Sequence, residues 1–254
     1  MISVTEAQLM QWLLPLLWPF IRMMALLTGM PIFNQAAVSL RLRIGLAFFI
    51  ALASQASLPP TPITPLDNLP LLLMLLAQQL LIGVSMGFAV RVVFAVLEFA
   101  GELNGLQMGL NFAGFFDHTT GTQGTSTASF YTNVVSFLFI AINGHLLLIQ
   151  ALVQSFQVFP VGDEPFHFLR AAQPQVWGAE IFRMGLWVAL PLTSMLLFVN
   201  IVMGVIARVA PQIGIFSVGF PLTISIGLIG MAATLPLMEG PFNAVLERLL
   251  SAFS

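Results

Sequence analysis

Cysteine and lysine are both absent from these 254 residues, tyrosine occurs once, and only 7% of the chain is charged. Without cysteine, disulfide staples, thiolate metal sites and a cysteine nucleophile are excluded together. Without lysine, all eight basic residues are arginine and they are scattered. With a net charge of −2, the basic patch of a nucleic-acid binder is missing, so nucleic acid is not an expected partner. A soluble domain is about 25% charged, whereas 7% charged with 58% hydrophobic residues is a membrane composition. The apolar runs extend from end to end and leave no polar stretch long enough to fold alone, so the chain reads as one integral unit. The N-terminal "MISVTEAQLMQW" lacks a basic region before its apolar run and does not resemble a cleaved signal peptide. Ser3 and Glu6 fit a capping box that starts a helix at once.

What is present is helix. Apolar segments of helical length cover residues 7–30, 69–97, 129–159, 181–207 and 214–238, with a shorter one at 44–58. A bilayer core of ~30 Å takes ~20 residues at ~1.5 Å each. Five segments are therefore long enough and the sixth is marginal. The 69–97 segment overshoots, at roughly 40 Å. Pro59, Pro60, Pro62, Pro65 and Pro70 in "LPPTPITPLDNLP" make a stiff extended spacer, and "VGDEPFHFLRAAQP" is a second polar link. The turns "GMPIFNQAAVSLRLRIG" and "APQIGIFSVGFPLTISIG" resemble one another and suggest helical hairpins near both ends of the chain.

Charge fails to orient the spans. If all six crossed, Arg41, Arg43 and Arg208 would fall on one side and Arg170, Arg183 and Arg248 on the other. The positive-inside rule needs an excess, and this tie points to helices that pack chiefly on other protein helices. Arg22, Arg91, Asn133, Asn143, His145, Asn200 and Arg208 lie in or at the ends of the apolar segments. An arginine at mid-bilayer costs at least ~2.5 kcal/mol, so protein or water is their expected neighbour. Gly83, Gly87, Gly185 and Gly204, with Ser85 and Ser194, permit close approach of helix backbones.

Motifs for catalysis are missing: there is no H-E-x-x-H, G-x-S-x-G, Walker loop or dinucleotide fingerprint. His118, His145 and His167 lack metal-ligand spacing, and no cofactor is implied. A hydrolase pair of Ser126 and His118 has no spacing to support it. Glu98 and Glu102 share a helical face. They read as a helix end entering solvent, or as balanced by Arg91, in preference to a proton relay. Glu180 and Arg183 fit an i,i+3 ion pair.

The unusual stretch is "GLQMGLNFAGFFDHTTGTQGTST", residues 105–127, which mixes five glycines with three phenylalanines and a threonine-rich tail. Gly105, Gly109 and Gly114 argue against a firm helix, while Leu110, Phe112, Phe115 and Phe116 are too apolar to hang in water. One reading is a connector whose rings tuck against the core. The other is a flexible hydrophobic stopper in a protein-lined hole. Burying three phenylalanines at ~2 kcal/mol each supplies ~6 kcal/mol as an upper value. That biases a two-state plug about 10⁴ to 1 toward closed.

Taken together, "WLLPLLWPFIRMMALLTGMPIF", "RLRIGLAFFIAL", "GLQMGLNFAGFFD" and "AEIFRMGLWVALPLTSMLLFVNIVMGVIARVAPQ" with "IFSVGFPLTISIGL" resemble the FliR subunits of the flagellar type III export gate over nearly the whole chain. The virulence-secretion subunits are more distant. The resemblance implies an all-α, integral membrane-type fold of helical hairpins, with a FliP-like part and a C-terminal FliQ-like hairpin, packed in a helical hetero-oligomeric channel. It divides the chain into an N-terminal hairpin (1–58), the proline-rich linker (59–70), middle helices (71–160) carrying the loop 105–127, and the C-terminal hairpin (175–254).

It further implies a non-enzymatic subunit at the bacterial inner membrane, in the flagellar basal body. The implied partners are FliP and FliQ in the channel, FlhB and FlhA beside it, and unfolded flagellar proteins as substrates. Carried onto this chain, the pore plug is Gly105, Met108, Gly109, Leu110, Phe112, Gly114, Phe115 and Phe116. Subunit packing falls to Arg22, Arg91, Arg208, Pro211, Phe216 and Pro221. At one position the chain departs from the family pattern, with Gly214 where asparagine is usual. The competing readings are a self-contained secondary transporter using Arg22, Arg91, Glu98 and Glu102, and the equivalent subunit of a virulence type III secretion system.

Overall fold

The computed structural model describes residues 6–34, 38–59, 68–110, 125–162, 174–212 and 215–253. Every regular element among them is helical: α1 (Glu6–Gly29), α2 (Leu40–Ser54), α3 (Leu69–Met108), α4 (Ser126–Ala141), α5 (Gly144–Val158), α6 (Pro174–Val209), α7 (Phe220–Thr234) and α8 (Glu239–Leu250). Single turns at Gln55–Ser57, Ile215–Gly219, Leu235–Met238 and Ser251–Phe253 complete the set.

The helix starts follow from local chemistry. Ser39 accepts from the Leu42 amide, Asn68 from Leu71 and Thr125 from Ala128, each side chain satisfying an orphan donor of a first turn. Pro174 opens α6, where its fixed φ suits the first helical position. The stop signals are subtler. Between α4 and α5, Asn143 adopts φ 58, so the expected 129–159 helix is two helices with a break between them. The helix expected over 69–97 continues to Met108, giving 40 residues. Gly101 and Gly105 are helical there, contrary to the expectation that glycine forbids helix at 105. Each costs about 1 kcal/mol of propensity, which packing offsets at Gly101: an added Cβ would stand 3.0 Å from the Tyr131 ring and 3.1 Å from Ala128 Cα.

Leu40–Ser57, Leu69–Met108, Val176–Val209 and Ser217–Leu250 are each long and apolar enough to cross a membrane. The pair α4 and α5 makes a fifth if counted as one broken span.

The chain forms two compact units. The first comprises residues 1–91, 142–177 and 246–254. In it α1 packs against α2, and α5 against the C-terminal turn Ser251–Phe253. Its core gathers Trp18, Leu75, Phe156 and Val161, flanked by Leu58, Leu71, Leu72 and Leu76. Helices α1 and α3 meet through glycine: a Cβ on Gly87 would lie 2.6 Å from the Leu26 carbonyl oxygen and 2.9 Å from Gly29 Cα. Gly83 abuts the Arg22 carbonyl in the same way.

Arg22 is wholly buried beside this seam. Its Nε and Nη2 donate to Gln79 Oε1 at 2.9 and 2.6 Å, and Nη2 donates again to the Phe159 carbonyl at 3.0 Å. Nη1 donates to Ser155 Oγ at 2.8 Å, and the guanidinium lies 3.6 Å from the Phe156 ring centroid. A buried cation needs such partners.

The second unit comprises residues 92–141 and 178–245. Phe94, Phe139 and Phe242 form an aromatic cluster with centroids 6.1 to 6.5 Å apart. Gly185 brings α6 onto α3, its added Cβ falling 2.8 Å from the Val96 carbonyl oxygen. Gly204, expected at a close approach, faces open space.

Candidate functional site

The two ends of the unusual loop lie in this second unit, and its middle, 111–124, falls outside the described residues. Helix α3 ends in a Schellman motif. The Leu110 amide donates to the Gly105 carbonyl and the Gly109 amide to the Leu106 carbonyl, both at 3.1 Å. Gly109 has φ +77, the left-handed conformation this motif requires, which glycine adopts without penalty. So Gly109 ends the helix, and Gly105 lies inside it.

The last turn is held from several sides. Met108 is fully buried and its side chain lies over Gly227 of α7, where an added Cβ would stand 2.6 Å from Met108 Cε. The Phe220 ring of α7 comes within 3.2 Å of where a Gly109 Cβ would be. Asn200 of α6 donates to the Gln107 carbonyl and to its Oε1, both at 3.3 Å.

One turn earlier runs a file of hydrogen bonds through four helices. Thr193 of α6 donates to Asn104 Oδ1 at 2.9 Å, and Asn104 Nδ2 donates to the Tyr131 hydroxyl at 2.9 Å. Tyr131 also bonds Thr234 at the end of α7. The Thr234 hydroxyl donates to the Gly230 carbonyl at 2.9 Å. With its own proton on the Gly230 carbonyl, the Thr234 hydroxyl has lone pairs to accept the phenol proton. Asn104 and Tyr131 are both buried. These groups position; none is a nucleophile paired with a base.

Of the residues the sequence singled out, Gly105, Met108, Gly109 and Leu110 are at this helix end, with Leu110 half-buried. Phe112, Gly114, Phe115 and Phe116 lie outside the described residues, as does the Phe216 side chain. Arg22, expected at a subunit interface, has all its recorded partners inside the first unit. Arg91, Arg208, Pro211 and Pro221 are exposed. Glu98 is exposed and Glu102 half-buried, and the helix carries on beyond both instead of ending there. Glu180 and Arg183 do pair, at 2.7 Å. Asn104, Tyr131, Thr193 and Thr234 escaped the sequence reading. The signal for Tyr131 was its being the single tyrosine in the chain.

Residues 13–249 match the sequence pattern of the family described as bacterial export proteins, family 1. The flagellar biosynthetic protein FliR of Escherichia coli (strain K12) is 40% identical over 242 residues, covering 95% of this chain and 92% of its own. The chain belongs to the FliR family. The flagellar biosynthetic protein FliR of Pectobacterium carotovorum is 39% identical, again covering 95% of this chain and 92% of the relative. That of Aquifex aeolicus is 32% identical over 90% of this chain and 88% of its own. With its membrane-length apolar helices, this FliR-family chain is a membrane-embedded component of flagellar protein export.

Proposed function

We propose that the chain is a non-enzymatic subunit of the flagellar type III export gate in the bacterial inner membrane. It joins FliP and FliQ in the channel for unfolded flagellar proteins, with FlhB and FlhA as neighbours. In this reading α6 and the arm formed by α7 and α8 make the FliQ-like hairpin, and the earlier helices the FliP-like part. The segment after α3 is the stopper of the closed pore. It begins at Gly109, because Gly105 and Met108 are committed to the helix, and Leu110, Phe112, Phe115 and Phe116 supply its seal.

The observation that carries the reading is the outer face of α6. Apolar side chains stay exposed along it from Val176 through Trp187 and Phe198 to Val209. At ~1.5 Å per residue that stripe is about 50 Å long, against a hydrocarbon core of ~30 Å. Tilt alone would have to exceed about 50°, beyond the ~40° that spanning helices reach. Lipid cannot cover the whole stripe, and helices of other subunits supply the remainder.

Co-expression with FliP and FliQ homologues tests this. The chain is expected to be recovered intact in complex with them and to be degraded or aggregated without them. A monodisperse, folded product from this chain alone would contradict the reading.

A further inference from the structure

We propose that Asn104 and Tyr131 are positioning residues that couple α6 and α7 to the last turn of α3. Through that turn they fix Leu110, a sealing residue in the stopper reading above, on which this consequence depends. The file from Thr193 through Asn104 and Tyr131 to Thr234 has one donor for each acceptor. Removing a middle member therefore strands groups on both sides of it, in an apolar interior where an unpaired polar group is costly.

Ordinary helix glue would be satisfied by one such bond. Here α6 and α7 each grip the same stretch, Asn104 to Gly109, at more than one point. Helix α6 holds it through Thr193 and Asn200, and α7 through Gly227 and Phe220 directly and through Thr234 by way of Tyr131. A shift of α6 by 1–2 Å, the typical scale of helix movements in switching, stretches the 2.9 Å bond from Thr193 to Asn104 past the limit of a hydrogen bond. Meanwhile Leu228 and Ile229 of α7 and Phe198 and Ile201 of α6 point outward. A displacement applied to that outer surface reaches α3 through the file.

The chain has no cysteine, so Leu110→Cys creates the single thiol of this subunit, three residues from Gln107. Its maleimide modification rate is read in the assembly purified with FliP and FliQ homologues. Tyr131→Phe keeps the ring over Gly101 and removes only the hydroxyl. It is expected to speed modification about fivefold, the effect of one typical buried hydrogen bond. Thr193→Val is expected to do the same, while Thr193→Ser, which keeps the hydroxyl, leaves the rate at the parent value. This pair reads the coupling even where Tyr131→Phe does not assemble.

Gln79→Leu, which disturbs the Arg22 site in the other unit, should lower thermal stability without changing the rate. Unchanged labelling in Tyr131→Phe and Thr193→Val overturns the coupling, and so does an equal rise in Gln79→Leu, which would mark general loosening. Resting ion conductance of the same preparations separates the two ideas. Faster labelling with unchanged conductance keeps the coupling and counts against the stopper.

Discussion

Arg22 shows how much an individual side chain can decide in a chain this apolar. It is a buried guanidinium whose recorded partners are Gln79, Ser155, the Phe159 carbonyl and the Phe156 ring, none of them anionic. Two costs compete when the site is changed. Removing the Gln79 acceptor strands N–H donors of a buried charged group, a loss of about 3 kcal/mol. Removing the charge also removes its desolvation cost, which offsets part of the loss from the neutral acceptors it leaves behind. Gln79→Leu is thus expected to cost about 3 kcal/mol and Arg22→Met less, about 1–2 kcal/mol. Thermal unfolding of the two variants in the purified assembly checks the order, and a larger loss for Arg22→Met would show the charge itself to be needed.

At this scale the sequence was legible only where partners are close along the chain. Glu180 and Arg183 could be paired because they are three apart on a helix. Asn104 has partners 27 and 89 residues away, and Arg22 partners 57 and 133 residues away, so no local pattern announces either site.

Among elements, apolar runs located the helices well, because a membrane-length stretch has few alternatives to helix. Ends and breaks were less legible. Asn143 and Gly144 form a dipeptide typical of turns, yet the surrounding apolar run masked the break they make. At α3 the opposite happened. Gly105, Gly109 and Gly114 suggested a loop, but Gly105 lies inside the helix and Gly109 makes it stop, so the loop starts later.

The glycines fall into two kinds, and substitution separates them. At Gly87 a methyl group would press on the Leu26 carbonyl and on Gly29, whereas at Gly204 nothing lies within 4 Å. Gly87→Ala should cost about 1–3 kcal/mol through overpacking. Gly204→Ala should be neutral or slightly stabilising, because alanine has the better helix propensity. Relative recovery of folded protein at the growth temperature measures both. An equal loss would mean that partner helices press as closely on Gly204 as α1 does on Gly87.

For the molecule as a whole, composition already indicated membrane and helix, and the tied arginine count already indicated helices sheltered by protein. The exposed stripe of α6 gives that second point a physical length. The partners proposed to cover it leave no trace in the amino-acid pattern beyond apolar surface, and the proposal of them rests on kinship with the FliR family. The central claim is that the segment anchored at Gly109 stops a shared pore. Ion conductance across membranes containing the assembled gate, with and without deletion of residues 110–116, tests it most directly. The expected result is a closed gate with the intact chain and a resting ion leak with the deletion. Equal conductance from equally well assembled gates would contradict it.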